Sequence, residues 1–182
     1  MLAAARDLLA EGGSDAVTMR ALARRLEVAP NALYSHVQSK TALLDDLLDD
    51  VLSGVDAPAP DPADPVTGLK ALMSSTYDLL NRHPDLVPLY LARQGARGPH
   101  AVRLGQSMDA LLAAAGVATA SVPLARRVLI VHTIGFAAFA TAGPGAGAAE
   151  PQRPISSEQS RESFRLSLDW LLVGIVHGAR SA

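Results

Sequence analysis

The chain has 182 residues, of which 49% are hydrophobic, 19% charged and only 4% aromatic, and its formal net charge is −2. This composition excludes extensive disorder, which goes with few apolar residues and much charge. The absence of cysteine excludes disulfide scaffolds, thiolate metal sites and cysteine nucleophiles. The slightly acidic balance excludes a globally basic coat for nucleic acid, but not a local basic patch on one face.

In chain order, the first element is a helix with Leu2, Ala5, Leu8 and Leu9 on one face, ended by Gly12-Gly13. Thr18 is placed to cap a second helix, with Val17 and Leu22 at the staple positions on either side. That helix buries Met19, Leu22, Ala23 and Leu26, and Arg20 and Arg24 project elsewhere. After the break Glu27-Val28-Ala29, Pro30 suits the first turn of a third helix. Leu33 and Val37 face inward there, while Asn31, Tyr34 and Ser35 share the other face. Ser39 caps a fourth helix through Leu43, Leu44, Leu47, Leu48 and Val51, whose Asp45, Asp46, Asp49 and Asp50 are expected to be solvated.

Val55–Pro65 holds four prolines and reads as a linker. Five more helices follow, at about Pro65–Arg82, Pro84–Gln94, Pro99–Ala115, Val122–Ala142 and Ser157–Arg180. Ser156 with Gln159 fits a capping box for the last. Gly143–Pro154 is too rich in Gly, Ala and Pro for a regular helix. No stretch alternates as a strand does. The expectation is an all-α protein of about nine helices, with a helix-turn-helix domain over 1–44 and a helical domain over 45–182.

Thr18–Leu44 carries the chemistry. Two short helices meet through a tight turn, and the second presents small and polar residues outward, as a recognition helix in a major groove does. Tyr34 lies opposite Leu33 and Val37, where burial does not explain it. Lys40 starts the fourth helix, where the helix dipole disfavours a cation. A phosphate held at that helix start accounts for it.

The pattern Thr18-x-Arg20-x-Leu22-Ala23-x-x-Leu26, followed by Leu33-Tyr34-x-His36-Val37-x-x-Lys40-x-x-Leu43-Leu44, resembles the DNA-binding domain of the tetracycline-repressor (TetR) family of bacterial transcription regulators. The close match covers about 45 residues. The resemblance implies that Thr18 caps the second helix and touches phosphate, and that Arg20 reaches phosphate or a base edge. It implies that Pro30, Asn31 and Ala32 meet base edges, that Tyr34 and Lys40 clamp phosphates, and that His36 lies at the DNA face, beside Ser35. Ala29 and Ala32 offer methyl groups, which suit a thymine methyl. The sequence departs from the family in having Glu27 where glycine is usual, so the turn is expected to differ slightly. It also begins inside the first helix, without the family's basic lead. Residues 1–44 have a net charge of only +1, so DNA binding requires a dimer.

The longer unit has no glycine-rich phosphate loop, GxSxG or HExxH motif, and its histidines lack metal-ligand spacing, so neither an enzyme nor a cofactor is expected. In the last helix Phe164, Leu168, Leu171, Leu172 and Ile175 form an apolar stripe, with Gly174 and Gly178 allowing close approach. Val122–Ala142 is apolar nearly all round, which demands burial on more than one side. The resemblance implies that these two helices pair with those of a second copy. It also implies a cavity for a small-molecule effector, with Tyr77, Tyr90, Arg93, Gln94, Met108, His132, Thr133 and Phe136 as candidates. The Ala, Leu and Val surroundings point to an apolar or amphipathic effector.

No export signal is legible, because Arg6, Asp7 and Glu11 interrupt the start. The longest apolar run, Val128–Ala142, is 15 residues, short of the roughly 20 needed to span a bilayer. The expected setting is the cytoplasm, away from any membrane. The leading reading is a homodimeric repressor released from operator DNA by a small molecule. A competing reading is a helical small-molecule-binding or scaffolding protein with an impaired DNA head, suggested by Glu27, the start and the low charge.

Overall fold

A computed structural model of the chain describes residues 1–57, 61, 63–93, 98–141 and 156–178. The stretch expected to be irregular, Gly143–Pro154, lies outside the described residues, as does Gln94. The described residues form nine α-helices and no strand. They are α1 (Leu2–Ala16), α2 (Met19–Arg25), α3 (Pro30–Leu33), α4 (Lys40–Leu52), α5 (Pro65–Arg82), α6 (Val87–Ala92), α7 (Pro99–Ala114), α8 (Val122–Thr141) and α9 (Ser157–Gly178). A 3₁₀ turn, Pro84–Leu86, precedes α6 where a single helix from Pro84 is expected from the sequence.

The helices group into two compact units: Met1–Gly54 with Asp85–Val102, and Val55–Pro84 with Arg103–Ala182. All of α4 therefore belongs to the first unit, together with α6 and the first turn of α7.

In the first unit, local chemistry sets each boundary. Gly12 and Gly13 break the helical geometry of α1, Gly13 at φ 68°. Thr18 Oγ1 accepts from the Ala21 amide at 3.1 Å and starts α2. The staple residues Val17 and Leu22 are fully buried. Ser39 Oγ accepts from the Ala42 amide at 3.1 Å and starts α4. The core is Ala5, Leu8, Leu9, Leu22, Leu33, Val37, Leu43 and Leu47.

At the end of α2 the Glu27 amide donates to Arg24 C=O and the Val28 amide to Ala23 C=O. This pair of bonds is a Schellman motif, which needs a left-handed residue after the C-cap. Glu27 supplies it at φ 55°. The turn is thus built in spite of the missing glycine, at a steric cost of about 1–2 kcal/mol. Glu27→Gly removes that strain but adds freedom to the unfolded chain. The expected result is a gain of roughly 0.5–1 kcal/mol in chemical denaturation. A lower unfolding midpoint for Glu27→Gly would show that Glu27 is not strained.

In the second unit α5 and α9 each pack against α8 and against each other. Asp64 Oδ1 accepts from the Thr67 amide and caps α5, with Pro65 in the first turn. At the start of α9, Ser156 Oγ accepts from the Gln159 amide at 3.1 Å, and Gln159 Oε1 accepts from the Ser156 amide at 3.0 Å, the expected capping box.

Helix α8 corrects two expectations. It runs 20 residues and is long and apolar enough to cross a membrane by length and composition, because the helix begins six residues before the apolar run, although those six include Arg126 and Arg127. It is also buried along one stripe only: Val122, Ala125, Leu129, Thr133 and Ala137. The opposite stripe, Leu124, Val131 and Phe139, is 64%, 64% and 71% exposed.

Candidate nucleic-acid interface

The helix-turn-helix separates its residues by face. Leu22, Leu33 and Val37 point into the core, while Thr18, Arg20, Pro30, Asn31, Ala32, Tyr34, Ser35 and His36 are all exposed. Tyr34 is 53% exposed although it is a large ring, so the fold places it in solvent at some apolar cost. α3 proper is one turn, Pro30–Leu33, with Pro30 at its start. Ser35 Oγ donates back to Ala32 C=O at 2.7 Å. Its donor is spent locally, leaving the oxygen as an acceptor. Within 28–32, Asn31 is the one side chain with hydrogen-bonding capacity, flanked by the apolar Val28, Ala29, Pro30 and Ala32.

The cations divide into committed and uncommitted ones. Arg25 binds both carboxylate oxygens of Glu11 at 2.7 and 2.6 Å, and Arg6 meets Asp50 at 3.1 Å. Lys40 Nζ donates to Ser14 C=O at 2.6 Å, which explains within the chain why a lysine tolerates a helix start. Two of its three N–H donors remain for a phosphate. Arg20 and Arg24 are exposed and make no ion pair among the described residues. They lie four apart, on one face of α2. Arg24 is a candidate phosphate contact that sequence reasoning passed over, although its i, i+4 spacing to Arg20 was legible.

The acidic face of α4 is not uniformly solvated, contrary to expectation. Asp46 and Asp50 are exposed, but Asp49 is 7% exposed and the Asp45 side chain 15%. Arg93 Nε and Nη2 pair with Asp45 at 2.6 and 2.8 Å. Tyr90 OH donates to Leu48 C=O at 2.7 Å, and burial raises its pKa far above the usual phenol value. Tyr90 and Arg93, placed among the effector candidates from sequence, have these polar groups occupied inside the first unit. A cavity of about 30 Å³ beside them has room for a water or two and not for a drug-sized effector.

Five other effector candidates lie in the second unit. Tyr77 stacks on Phe164 with centroids 4.2 Å apart and planes 7° apart. His132 sits 4.7 Å from Phe136 and 5.3 Å from Phe164. Its Nε2 pairs with Ser167 Oγ at 2.9 Å, its Nδ1 is buried without a partner among the described residues, and burial lowers its pKa. Thr133 Oγ1 donates to Leu129 C=O, and Met108 is 2% exposed. Tyr77, Met108 and Thr133 are core residues as they stand. His132 is the candidate with an unused polar atom.

The expected dimer stripe also needs correction. Phe164, Leu168 and Leu172 are 0%, 1% and 1% exposed, packed inside their own subunit, and Leu171 and Ile175 are half-buried. The stripe of α9 that faces outward is Leu166, Trp170 and Val173, at 50%, 73% and 59% exposure. The amphipathic period locates an apolar face, and here that face is consumed by α5 and α8. Gly135 lies between Val131 and Phe139, and Gly174 follows Val173. A Cβ built at either meets only open space.

Fold and site together define an all-helical protein that opens with a helix-turn-helix. Residues 1–47 match the model for bacterial regulatory proteins, tetR family. An HTH-type transcriptional regulator of Saccharopolyspora erythraea is 33% identical over 135 residues, 74% of this chain and 57% of that protein. The tetracycline repressor protein class G of Vibrio anguillarum is 53% identical over 47 residues, 26% of this chain and 22% of that protein. The chain thus spans less than two thirds of both. Apo ActR from Streptomyces coelicolor superposes with a TM-score of 0.84 at 25% identity, covering 99% of this chain and 94% of ActR. ActR in complex with actinorhodin gives 0.81 at 26% identity, with 98% and 95% coverage. BioQ with its double-stranded DNA operator gives 0.73 at 27% identity, with 97% and 95% coverage. Residues 1–47 thus match the TetR family's DNA-binding domain, and the chain as a whole shares the fold of ActR and BioQ.

Proposed function

We propose that the chain is a ligand-responsive, DNA-binding transcriptional regulator of the cytoplasm, working as a homodimer: a repressor that a small molecule releases from its operator. The observation that carries this reading is the exposed set Arg20, Asn31 and Tyr34 on a helix-turn-helix whose inward residues are fully packed. That ActR is solved with actinorhodin and BioQ with its operator supports the same two partners here, an effector and duplex DNA. The intact turn at Glu27 speaks against one of the three grounds for an impaired DNA head.

In this reading Thr18, Tyr34, Lys40 and Arg24 fix the position of the head on phosphates, with Ser35 and His36 alongside. Arg20, Pro30, Asn31 and Ala32 face base edges, Asn31 with the donor–acceptor pair that fits adenine. The dimer forms through the outward stripes of α8 and α9, whose exposed Val131, Phe139 and Trp170 are otherwise unexplained in a folded chain. His132 with Phe136 is the proposed contact for an apolar or amphipathic effector, since it combines aromatic surface with an unused ring nitrogen. No cofactor and no membrane enter the reading.

Binding to duplex DNA selected from a random pool tests it. Tyr34→Phe and Lys40→Ala are expected to weaken binding to all sequences alike, and Lys40→Ala to lower the salt slope by about one unit. Asn31→Ala is expected to relax base preference. An unchanged affinity and slope for Lys40→Ala would remove it from the phosphate contacts.

A further inference from the structure

The first unit contains a polar fastening that the regulator reading does not require. Residues 45, 48, 49 and 52 share one face of α4 and line the small cavity with Tyr90, Arg93 and Ala101. The Asp49 carboxylate, almost wholly buried, accepts from the His100 amide at 3.2 Å and the Ala101 amide at 2.8 Å. Those amides belong to the first turn of α7, where backbone donors lack helical partners and the dipole favours an anion. Gly98 precedes that turn, and a Cβ there would collide with the Asp49 carboxylate. Close approach of backbone to carboxylate is therefore built in. Arg93 on Asp45 and Tyr90 on Leu48 C=O fix the neighbouring α6 segment to the same face of α4.

α7 is one continuous helix whose residues from Arg103 onward belong to the second unit. The chain also passes between the units at Gly54–Val55, where the Pro-rich segment begins, and at Pro84–Asp85, ahead of α6. We propose that Asp49 is a positioning residue for communication: it ties the first turn of α7 to α4, the helix that directly follows the recognition segment. A displacement of α7 then moves α4 and the DNA-facing residues, instead of being lost at the boundary. The inference rests on the regulator reading, and it makes α7 a carrier of the signal in addition to the end of α4.

The test uses the full chain and a duplex enriched from a random pool. Amide exchange over 98–114 is measured with and without duplex, for wild type, Asp49→Ala, Asp49→Asn and the exposed control Asp46→Asn. In wild type and Asp46→Asn, duplex is expected to slow exchange beyond Arg103 by about threefold or more. In Asp49→Ala, exchange at His100 and Ala101 is expected to be about tenfold faster without DNA. The duplex effect beyond Arg103 disappears in that variant, while duplex affinity stays within about threefold of wild type. Asp49→Asn keeps a neutral acceptor and is expected to fall between, and it carries the test if circular dichroism shows Asp49→Ala unfolded. Wild-type α7 indifferent to duplex, or a folded Asp49 variant that still transmits the effect, would overturn the proposal. A pool that enriches no sequence sinks the DNA-binding reading and, with it, the communication role. In that case unchanged exchange at His100 and Ala101 in the Asp49 variants would separately overturn the fastening itself.

Discussion

Val131→Asp combined with Trp170→Asp is expected to give a folded monomer with at least about a hundredfold weaker binding to a two-half-site duplex. Trp170 and Val131 are 73% and 64% exposed in the isolated chain, so neither helps hold the subunit together. Covering a tryptophan removes on the order of 150–250 Å² from water, worth roughly 4–6 kcal/mol per copy at about 25 cal/mol/Å². Placing an unpaired carboxylate there reverses the sign. Sedimentation reports the oligomer and circular dichroism the fold. Leu172→Asp is the contrasting variant: at 1% exposure it sits in the subunit's own core and is expected to unfold the chain. A doubly substituted protein that still sediments as a dimer would place the interface elsewhere.

Phe164→Ala is expected to cost about 3–5 kcal/mol. The ring is fully buried, stacked on Tyr77 and in contact distance of His132 and Phe136 with centroids at 5.3 and 5.7 Å. Aromatic pairing adds about 0.5–1.5 kcal/mol beyond the area term. For a chain of this size that loss lowers the melting temperature by roughly 6–20 °C. Phe164→Leu, which refills most of the space, is expected to recover more than half of it. If Phe164→Ala cost less than about 1 kcal/mol, the cluster would not be close-packed. It would then be an opening available to the effector.

Most of the element boundaries were legible because they are set by chemistry within three or four residues. Thr18, Ser39 and Ser156 each accept from the amide three residues on, as their positions before an apolar period imply. The exposed Tyr34 opposite Leu33 and Val37 was legible for the same reason. What was not legible depends on the partner a residue meets across the fold. The acids of α4 look alike in sequence, yet Asp45 and Asp49 meet Arg93 and the α7 amides 48 to 52 residues away while Asp46 stays in water. Lys40 looked like a bare cation because Ser14 C=O, 26 residues earlier, cannot be seen from the α4 sequence.

By itself, then, the sequence determined the helical class, the helix-turn-helix with its inward and outward residues, and the resemblance of that segment to the TetR family, since these rest on periodicity, capping and spacing over short range. Only the tertiary structure decided which of the apolar stripes of α8 and α9 is spent inside the subunit, because both stripes are apolar and period alone cannot rank them. It likewise decided that α4 belongs wholly to the first unit and that Tyr90 and Arg93 serve that unit's fastening. The reason is the same in each case: burial of a stripe, a carboxylate or a cation is settled by what packs against it. That neighbour is brought in by chain folding over tens of residues, beyond the reach of any local pattern.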